Sequence, residues 1–146
     1  MRLFLLLFLS VFISISIFSD ENTKEDDTVS LSVTVKKIKK IEGMLVFNLF
    51  NKSKGFPKSK NKYKTIKIKV TAKTMSITFK NLKKGKYAVT IHHDEDSNAK
   101  VNTNFIGIPN EGLGVSNNTS SFGPPSFEDA VFNLEKDLSI VIKVKY

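Results

Sequence analysis

Apolar and polar residues alternate along several short stretches of the chain. Val29, Leu31, Val33 and Val35 are separated by Ser, Ser and Thr, and a period of two residues is typical of a strand with one buried face. Related patterns occupy residues 44–50, 66–70, 75–79, 87–93, 130–134 and 138–144. Helical periodicity is almost absent, so the pattern predicts an all-β domain, an antiparallel β-sandwich of about seven strands.

The inward positions of these strands predict the core of the sandwich. We expect the following side chains to be buried there: Val33, Val35, Val46, Phe79, Val89, Ile91 and Phe132. Several outward positions carry Lys instead, and charges on the outward face of a strand keep sheet edges from pairing with other chains.

The interval 94–129 interrupts the alternation with 36 residues rich in Asn, Gly, Ser and Pro. A loop longer than about 15 residues in a compact domain is usually functional or disordered. Apolar side chains predict that this loop is ordered and packs over one end of the sandwich: Phe105, Ile106, Ile108, Leu113, Val115, Phe122 and Phe127. Ser126, followed by Glu128 and Asp129, predicts a capped helical turn at its end.

The N-terminal residues have a different character. Arg2 precedes an apolar segment, residues 3–18, in which only Ser10, Ser14 and Ser16 are not apolar. A positive start, a short apolar segment and small residues at its end are typical of a secretory signal peptide. An uncleaved anchor is the alternative, although a membrane span usually needs about 20 apolar residues.

This leader sets the predicted domain organisation. Cleavage of the signal peptide, residues 1–19, is expected after Ser16 or Ser19. An acidic, disordered spacer over residues 20–28 would then precede the β-sandwich domain at residues 29–146. Both the signal peptide and the anchor place that domain outside the cytoplasm, in the periplasm, at the cell surface or in the medium, because the positive N-terminus stays inside.

Composition narrows the possible chemistry. The chain has no Cys and a formal charge of +9, so disulfides and thiolate metal sites are excluded. Residues 36–86 contain 17 Lys and only Glu42 as a carboxylate. Such a segment is either a solvated surface or a contact for anionic polysaccharide or lipid. Sequence-specific binding of nucleic acid is not expected, because Lys cannot make the bidentate contacts by which Arg recognises guanine.

Acidic residues at the start of the long loop suggest a metal. A calcium loop turns side-chain oxygens at alternate positions toward one ion, and the candidate ligands are Asp94, Asp96, Asn98, the carbonyl of Lys100 and, from further along, Glu111. Two residues of a typical calcium loop are missing. Ala99 occupies the position of the usual Gly, and Phe105 occupies the position of the Glu that normally completes the coordination of the ion. The alternative is a turn in which Asp and Asn side chains cap their own backbone.

His92 and His93 raise the question of an enzyme. Adjacent residues of a strand point to opposite faces, so both cannot ligate one ion from regular β geometry. His93 shares the inward face of its strand and is expected at the rim of the core. In an alternative reading the protein is a small hydrolase-like or metal-dependent enzyme, in which His93 works with Asp94 and Glu111 as acid and base.

Four segments in order carry a family resemblance: HHDEDSNAKVN at 92–102, FIGIPNEG at 105–112, GVSNN at 114–118 and PPSFEDA at 124–130. With them the chain resembles a family of exported bacterial proteins catalogued as domain of unknown function twenty-one forty-one. The resemblance implies export and a transthyretin-like or immunoglobulin-like sandwich, and it implies no activity. The expectation is therefore a non-catalytic binding or structural module of the cell envelope.

Overall fold

A computed structural model of the chain describes residues 27–58, 60–119 and 123–146. The predicted leader, most of the predicted spacer and Phe122 lie outside the described residues. Within these ranges the chain forms eight strands: β1 Thr28–Lys36, β2 Met44–Phe50, β3 Lys64–Lys69, β4 Met75–Lys83, β5 Gly85–Asp94, β6 Gly112–Val115, β7 Phe132–Leu134 and β8 Leu138–Lys143. A 3₁₀ turn, Ser116–Asn118, follows β6, and the single-turn helix α1, Phe127–Ala130, precedes β7.

The strands form two sheets, which confirms the predicted β-sandwich. One sheet has the order β4-β1-β8, and the other has the order β3-β2-β5-β6 with β7 paired to the start of β5. All of these strand pairs are antiparallel except β1 and β8, which are parallel. At one edge the sheets are joined, because Leu113 and Lys145 exchange two backbone hydrogen bonds of 2.8 Å.

The core lies between the sheets and follows the period of two. The side chains of Leu45, Phe47 and Leu49 on β2 enter it together with Val33, Val35, Phe79, Val89 and Ile91. Two predicted members differ from the others. Val46 is buried on the opposite face of β2, and Phe132 is half-buried at the margin of the core.

A second, smaller apolar cluster covers the outer face of the larger sheet. Phe56 packs edge-on against both Phe50 and Phe127, with ring centroids 5.0 and 5.6 Å apart, beside Ala88 and Val115. The predicted helical turn is confirmed as α1, in which the Ser126 hydroxyl accepts a hydrogen bond from the Asp129 amide. No helix in the described part of the chain is long and apolar enough to cross a membrane.

The long interval 94–129 differs from its prediction in two respects. It contains strand β6, which the alternating pattern did not predict because two of its four residues are Gly. Three of the predicted anchors do not pack on the sandwich, because Phe105, Ile106 and Ile108 are 99%, 64% and 54% exposed. Residues 95–111 are held in place by hydrogen bonds from backbone amides to the carboxylates of Asp94 and Glu111, rather than by burial of apolar side chains.

Candidate functional site

The C-terminal end of β5 brings the chemically reactive residues to one end of the sandwich. His92, His93 and Asp94 are the last three residues of this strand, and they pair with the start of β2. Gly43, which precedes β2, has φ of +67°, and a Cβ atom there would overlap the Asp94 carbonyl oxygen. The close approach of β2 to the end of β5 therefore requires glycine at this position.

Glu111 ties the long loop to β5. One of its carboxylate oxygens accepts hydrogen bonds from His92 Nε2 at 2.9 Å and from the Asn102 amide at 3.0 Å. The other oxygen accepts a hydrogen bond from the Glu95 amide at 3.0 Å. Burial would raise the pKa of the Glu111 carboxyl, but these three donors outweigh it and lower that pKa below its ordinary value. The ionised carboxylate thus closes the loop at its base.

Asp94 and its neighbours form a turn capped by its own side chains. The two Asp94 carboxylate oxygens accept hydrogen bonds from the amides of Asn98 and Ala99 at 3.1 and 3.0 Å. The side-chain oxygen of Asn98 accepts from the Lys100 amide at 2.7 Å. Ala99 adopts φ of +63°, so the sharp turn forms without the usual glycine. Asp and Asn side chains thus cap the backbone of this turn.

Asp96 is held in the same turn by side-chain amides. Its Oδ2 atom accepts hydrogen bonds from the Nδ2 atoms of Asn98 and Asn102, both at 2.7 Å. Desolvation acts to raise the pKa of Asp96, and the hydrogen bonds, led by that from Asn102, lower it overall. Three of the proposed calcium ligands, Asp94, Asp96 and Asn98, therefore lie in one turn. Glu111 lies at the base of the long loop, where it accepts hydrogen bonds from His92, Glu95 and Asn102.

The structure brings together a group that the strand pattern did not predict. Ligand atoms of His92, Asp94 and Glu111 all lie within 4.8 Å of one another. The carboxylates of Asp94 and Glu111 are buried, and each already accepts backbone amides. The contact of His92 with Glu111 depends on the pairing of β6 with β5. In that pairing Gly112 lies opposite His93, which places Glu111 beside the end of β5. The sequence pattern did not predict β6, so it did not predict this contact.

His93 lies on the opposite face and is fully buried. Its Nε2 atom lies 2.9 Å from the Glu42 carbonyl oxygen, which can only accept, so Nε2 carries the proton. In the neutral ring Nδ1 then accepts from the Tyr146 hydroxyl at 2.7 Å, and that hydroxyl accepts from the Lys39 amide at 3.0 Å. Burial raises the pKa of Tyr146, which keeps this donor protonated.

The proposed catalytic pairing of His93 with Glu111 is therefore not formed. Glu111 contacts His92, and the hydrogen-bonding capacity of both His93 nitrogens is used within the protein. Gly112 makes room for this arrangement, because a Cβ atom there would lie 2.6 Å from the ring of Tyr146. Hydrogen bonds from His92 and from His93 thus join the end of β5 to other parts of the fold on both of its faces.

Part of the lysine-rich segment lies on the larger sheet. Lys67 and Lys69 on β3 are exposed on its outer face, and β3 is an edge strand. The hairpin connection at 51–63 adds five Lys and no carboxylate. Partial burial and, secondly, the charge of Lys67 lower the pKa of Lys62. Among the described residues, no carboxylate lies within ion-pair distance of Lys62 or Lys67.

Comparison with models of protein families identifies the family of the chain. A family model described as "Uncharacterized protein conserved in bacteria (DUF2141)" matches residues 33–141. This range includes the whole of β2 to β7, the second half of β1 and most of β8. No curated protein and no solved structure matches the chain.

Proposed function

The chain belongs to the bacterial family DUF2141, and from this premise we propose that it is an exported, non-catalytic binding module of the cell envelope. Its ligand would be an anionic polysaccharide. Its binding surface would be the lysine surface, defined as β3 together with residues 51–58 and 60–63. The observation that carries the proposal is the position of Lys62 beside Lys67 without a neighbouring carboxylate in the described residues.

Two neighbouring ammonium groups repel each other, and partial burial makes the charge of Lys62 more costly. An anion placed between Lys62 and Lys67 would relieve both effects, since opposite charges favour the charged form of each group. A surface that is only solvated would gain nothing from keeping these charges so close. The proximity of Lys62 to Lys67, with no carboxylate within ion-pair distance in the described part of the chain, therefore favours an anionic ligand.

The distribution of charge favours a polymer over a small anion. Lys67 and Lys69 project from the same face of β3, roughly 7 Å apart along the strand, and the 51–63 connection continues the positive charge beyond the strand. A chain of repeated carboxylates or sulfates can contact such a row at several points, and linked contacts multiply affinity. Lys is suited to this role because its ammonium group is a point charge that does not require planar, bidentate partners.

The test measures binding of the chain from Asp20 onward to polygalacturonate, with neutral dextran as the reference polymer. Lys62→Gln with Lys67→Gln is compared with Lys136→Gln with Lys143→Gln, which removes the same charge from another part of the fold. A Lys near an anionic surface contributes about 1 kcal/mol, so the first variant should bind about 10- to 30-fold more weakly. The second variant should bind nearly as well as the parent protein, and binding should weaken with added salt.

Two results would contradict the proposal. The first is absence of binding to polygalacturonate at low salt. The second is an equal loss of affinity in both double variants, which would show a response to net charge alone rather than to the lysine surface. Dextran should not bind any of the proteins.

A further inference from the structure

An imidazole and two carboxylates meet on the outer face of the larger sheet, where β5 ends. His92 and Asp94 lie two residues apart on β5, so their side chains project from the same face of the strand. Glu111 directly precedes β6, whose pairing with β5 places it beside them. Ligand atoms of these three side chains lie within 4.8 Å of one another. The fold thus gathers one nitrogen and two oxygen ligands around a single point.

Backbone amides fix the orientation of both carboxylates. Asp94 accepts hydrogen bonds from two amides of the following turn, and Glu111 accepts two from the long loop. Each carboxylate oxygen has two lone pairs, so an oxygen that accepts a single amide keeps a further acceptor position. Hydrogen bonds of this kind orient the ligands of metal ions in proteins, and their loss weakens metal binding. Both carboxylates are therefore positioned before an ion arrives.

The hydrogen bond between His92 and Glu111 marks a place where a metal ion can replace a proton. His92 Nε2 lies 2.9 Å from Glu111 Oε2. Two ligands of a tetrahedral zinc ion, each at about 2.0–2.1 Å from the metal, lie roughly 3.3 Å apart, so this pair needs to separate only slightly. Nε2 then gives its lone pair to the ion, and the proton of the neutral ring is carried by Nδ1.

The groove beside Glu111 is negatively charged. Its lining includes four carboxylate side chains and one Lys: Glu42, Glu95, Asp96, Glu111 and Lys40. Lys40 is already paired with Glu42 and Glu95. In the described part of the chain, no Lys lies within ion-pair distance of Asp94 or Glu111. These two buried carboxylates repel each other, and a divalent cation between them would relieve that repulsion.

We propose that His92, Asp94 and Glu111 bind a zinc ion, with the fourth coordination position open to the groove. Imidazole nitrogen and carboxylate oxygen are both ligands of zinc, whereas calcium takes six to eight oxygens and no imidazole. Zinc needs only one position from each side chain, so the backbone amides can stay bonded to both carboxylates. The buried imidazole distinguishes this site from an exposed cluster of acidic residues. The bound ion would fasten the long loop to β5.

This site and the lysine surface can be tested separately. None of the three zinc ligands belongs to the lysine surface, and zinc binding is measured without any polysaccharide. The variant Lys62→Gln with Lys67→Gln keeps all three ligands, so it should bind zinc as the parent chain does. Failure of polysaccharide binding would therefore leave the zinc site intact, and failure of zinc binding would leave the lysine surface intact.

The experiment titrates zinc chloride into the chain from Asp20 onward, without an affinity tag, by isothermal calorimetry. His92→Gln keeps an N–H donor for Glu111 but removes the zinc ligand, and it should bind zinc about 100-fold more weakly or less. Glu42→Gln is the matched control, because it removes a charge from the same groove and no ligand, and it should bind as the parent chain does. At zinc about one hundred times its Kd, the Tm of the parent chain should rise by about 8–15 °C.

A second measurement on the parent chain does not depend on how a variant folds. His92 and His93 are the only His of the chain, so nitrogen NMR of the imidazoles observes two rings. Zinc should shift the Nε2 resonance of His92 and leave that of His93 unchanged, because both nitrogens of His93 are hydrogen-bonded within the protein.

Three results would overturn the proposal. They are absence of zinc binding by the parent chain, equal zinc affinity of His92→Gln, and an unchanged His92 resonance in the presence of zinc. A rise in Tm with calcium as large as that with zinc would show general attraction of cations to the carboxylates, and it would also contradict the site.

Discussion

Replacing Glu111 by Ala should loosen the long loop and destabilise the whole domain. The substitution removes the acceptor of three donors: the amides of Glu95 and Asn102 and the Nε2 atom of His92. A buried donor left without a partner costs about 1–3 kcal/mol. The groove beside Glu111, with a volume of about 310 Å³, admits water and reduces that cost.

We therefore expect Glu111→Ala to lower the free energy of unfolding by about 2–4 kcal/mol. This value is less than three full penalties for unpaired donors, because water in the groove replaces part of the lost hydrogen bonding. For a domain of about 120 residues this corresponds to a decrease in Tm of roughly 8–15 °C. Limited digestion with trypsin supplies a local measurement, because Lys100 is the only Lys or Arg in residues 95–112. Cleavage after Lys100 should become much faster in the variant than in the parent protein.

The control is Asn110→Ala, next to Glu111, whose exposed side chain should affect stability by no more than about 0.5 kcal/mol. The reasoning would be refuted if Glu111→Ala melted within about 2 °C of the parent protein while cleavage at Lys100 was unchanged. A decrease in Tm without faster cleavage would show that Glu111 stabilises the domain through its contact with His92 on β5 and not by ordering the loop.

Four further outcomes are expected. The folded protein lowers the pKa of Glu111, so the ionised carboxylate stabilises the fold above its unfolded pKa of about 4.3, and that stabilisation is lost as the pH falls through the folded pKa. The difference in Tm between the parent protein and Glu111→Gln should therefore become smaller below a pH of about 4.3. Tyr146→Phe, which breaks the hydrogen bond to His93, should cost about 1–2 kcal/mol in chemical denaturation. Ser116→Ala, which removes a buried hydroxyl bonded to Val89, should cost about 1–3 kcal/mol in the same assay. Because the Asp94 oxygens already accept backbone amides, millimolar calcium should change Tm by less than about 1 °C, and a larger shift abolished by Asp94→Ala would show a calcium site.

The sequence could predict that strands exist and which residues form the core, because both depend on the local alternation of apolar and polar residues. A residue such as Val33 or Val89 faces inward whenever its strand covers an apolar layer, whichever strand lies opposite. The cap at Ser126 was predictable for the same reason, since its hydroxyl and the Asp129 amide are only three residues apart. In each case the determining interaction lies within a few residues of the chain, or needs only the presence of an apolar partner.

The tertiary structure alone decided which residues meet at the end of β5. The sequence identified His92, His93 and Glu111 as chemically notable, but the choice of His92 as the partner of Glu111 depends on the pairing of β6 with β5. β6 has too few apolar residues to show an alternating pattern, so its position follows from contacts distant in sequence. Likewise, Phe105 is as apolar as a core residue, and only the packed fold determined that no surface of the sandwich covers it. Burial is a property of the assembled surfaces, whereas alternation is a property of the chain.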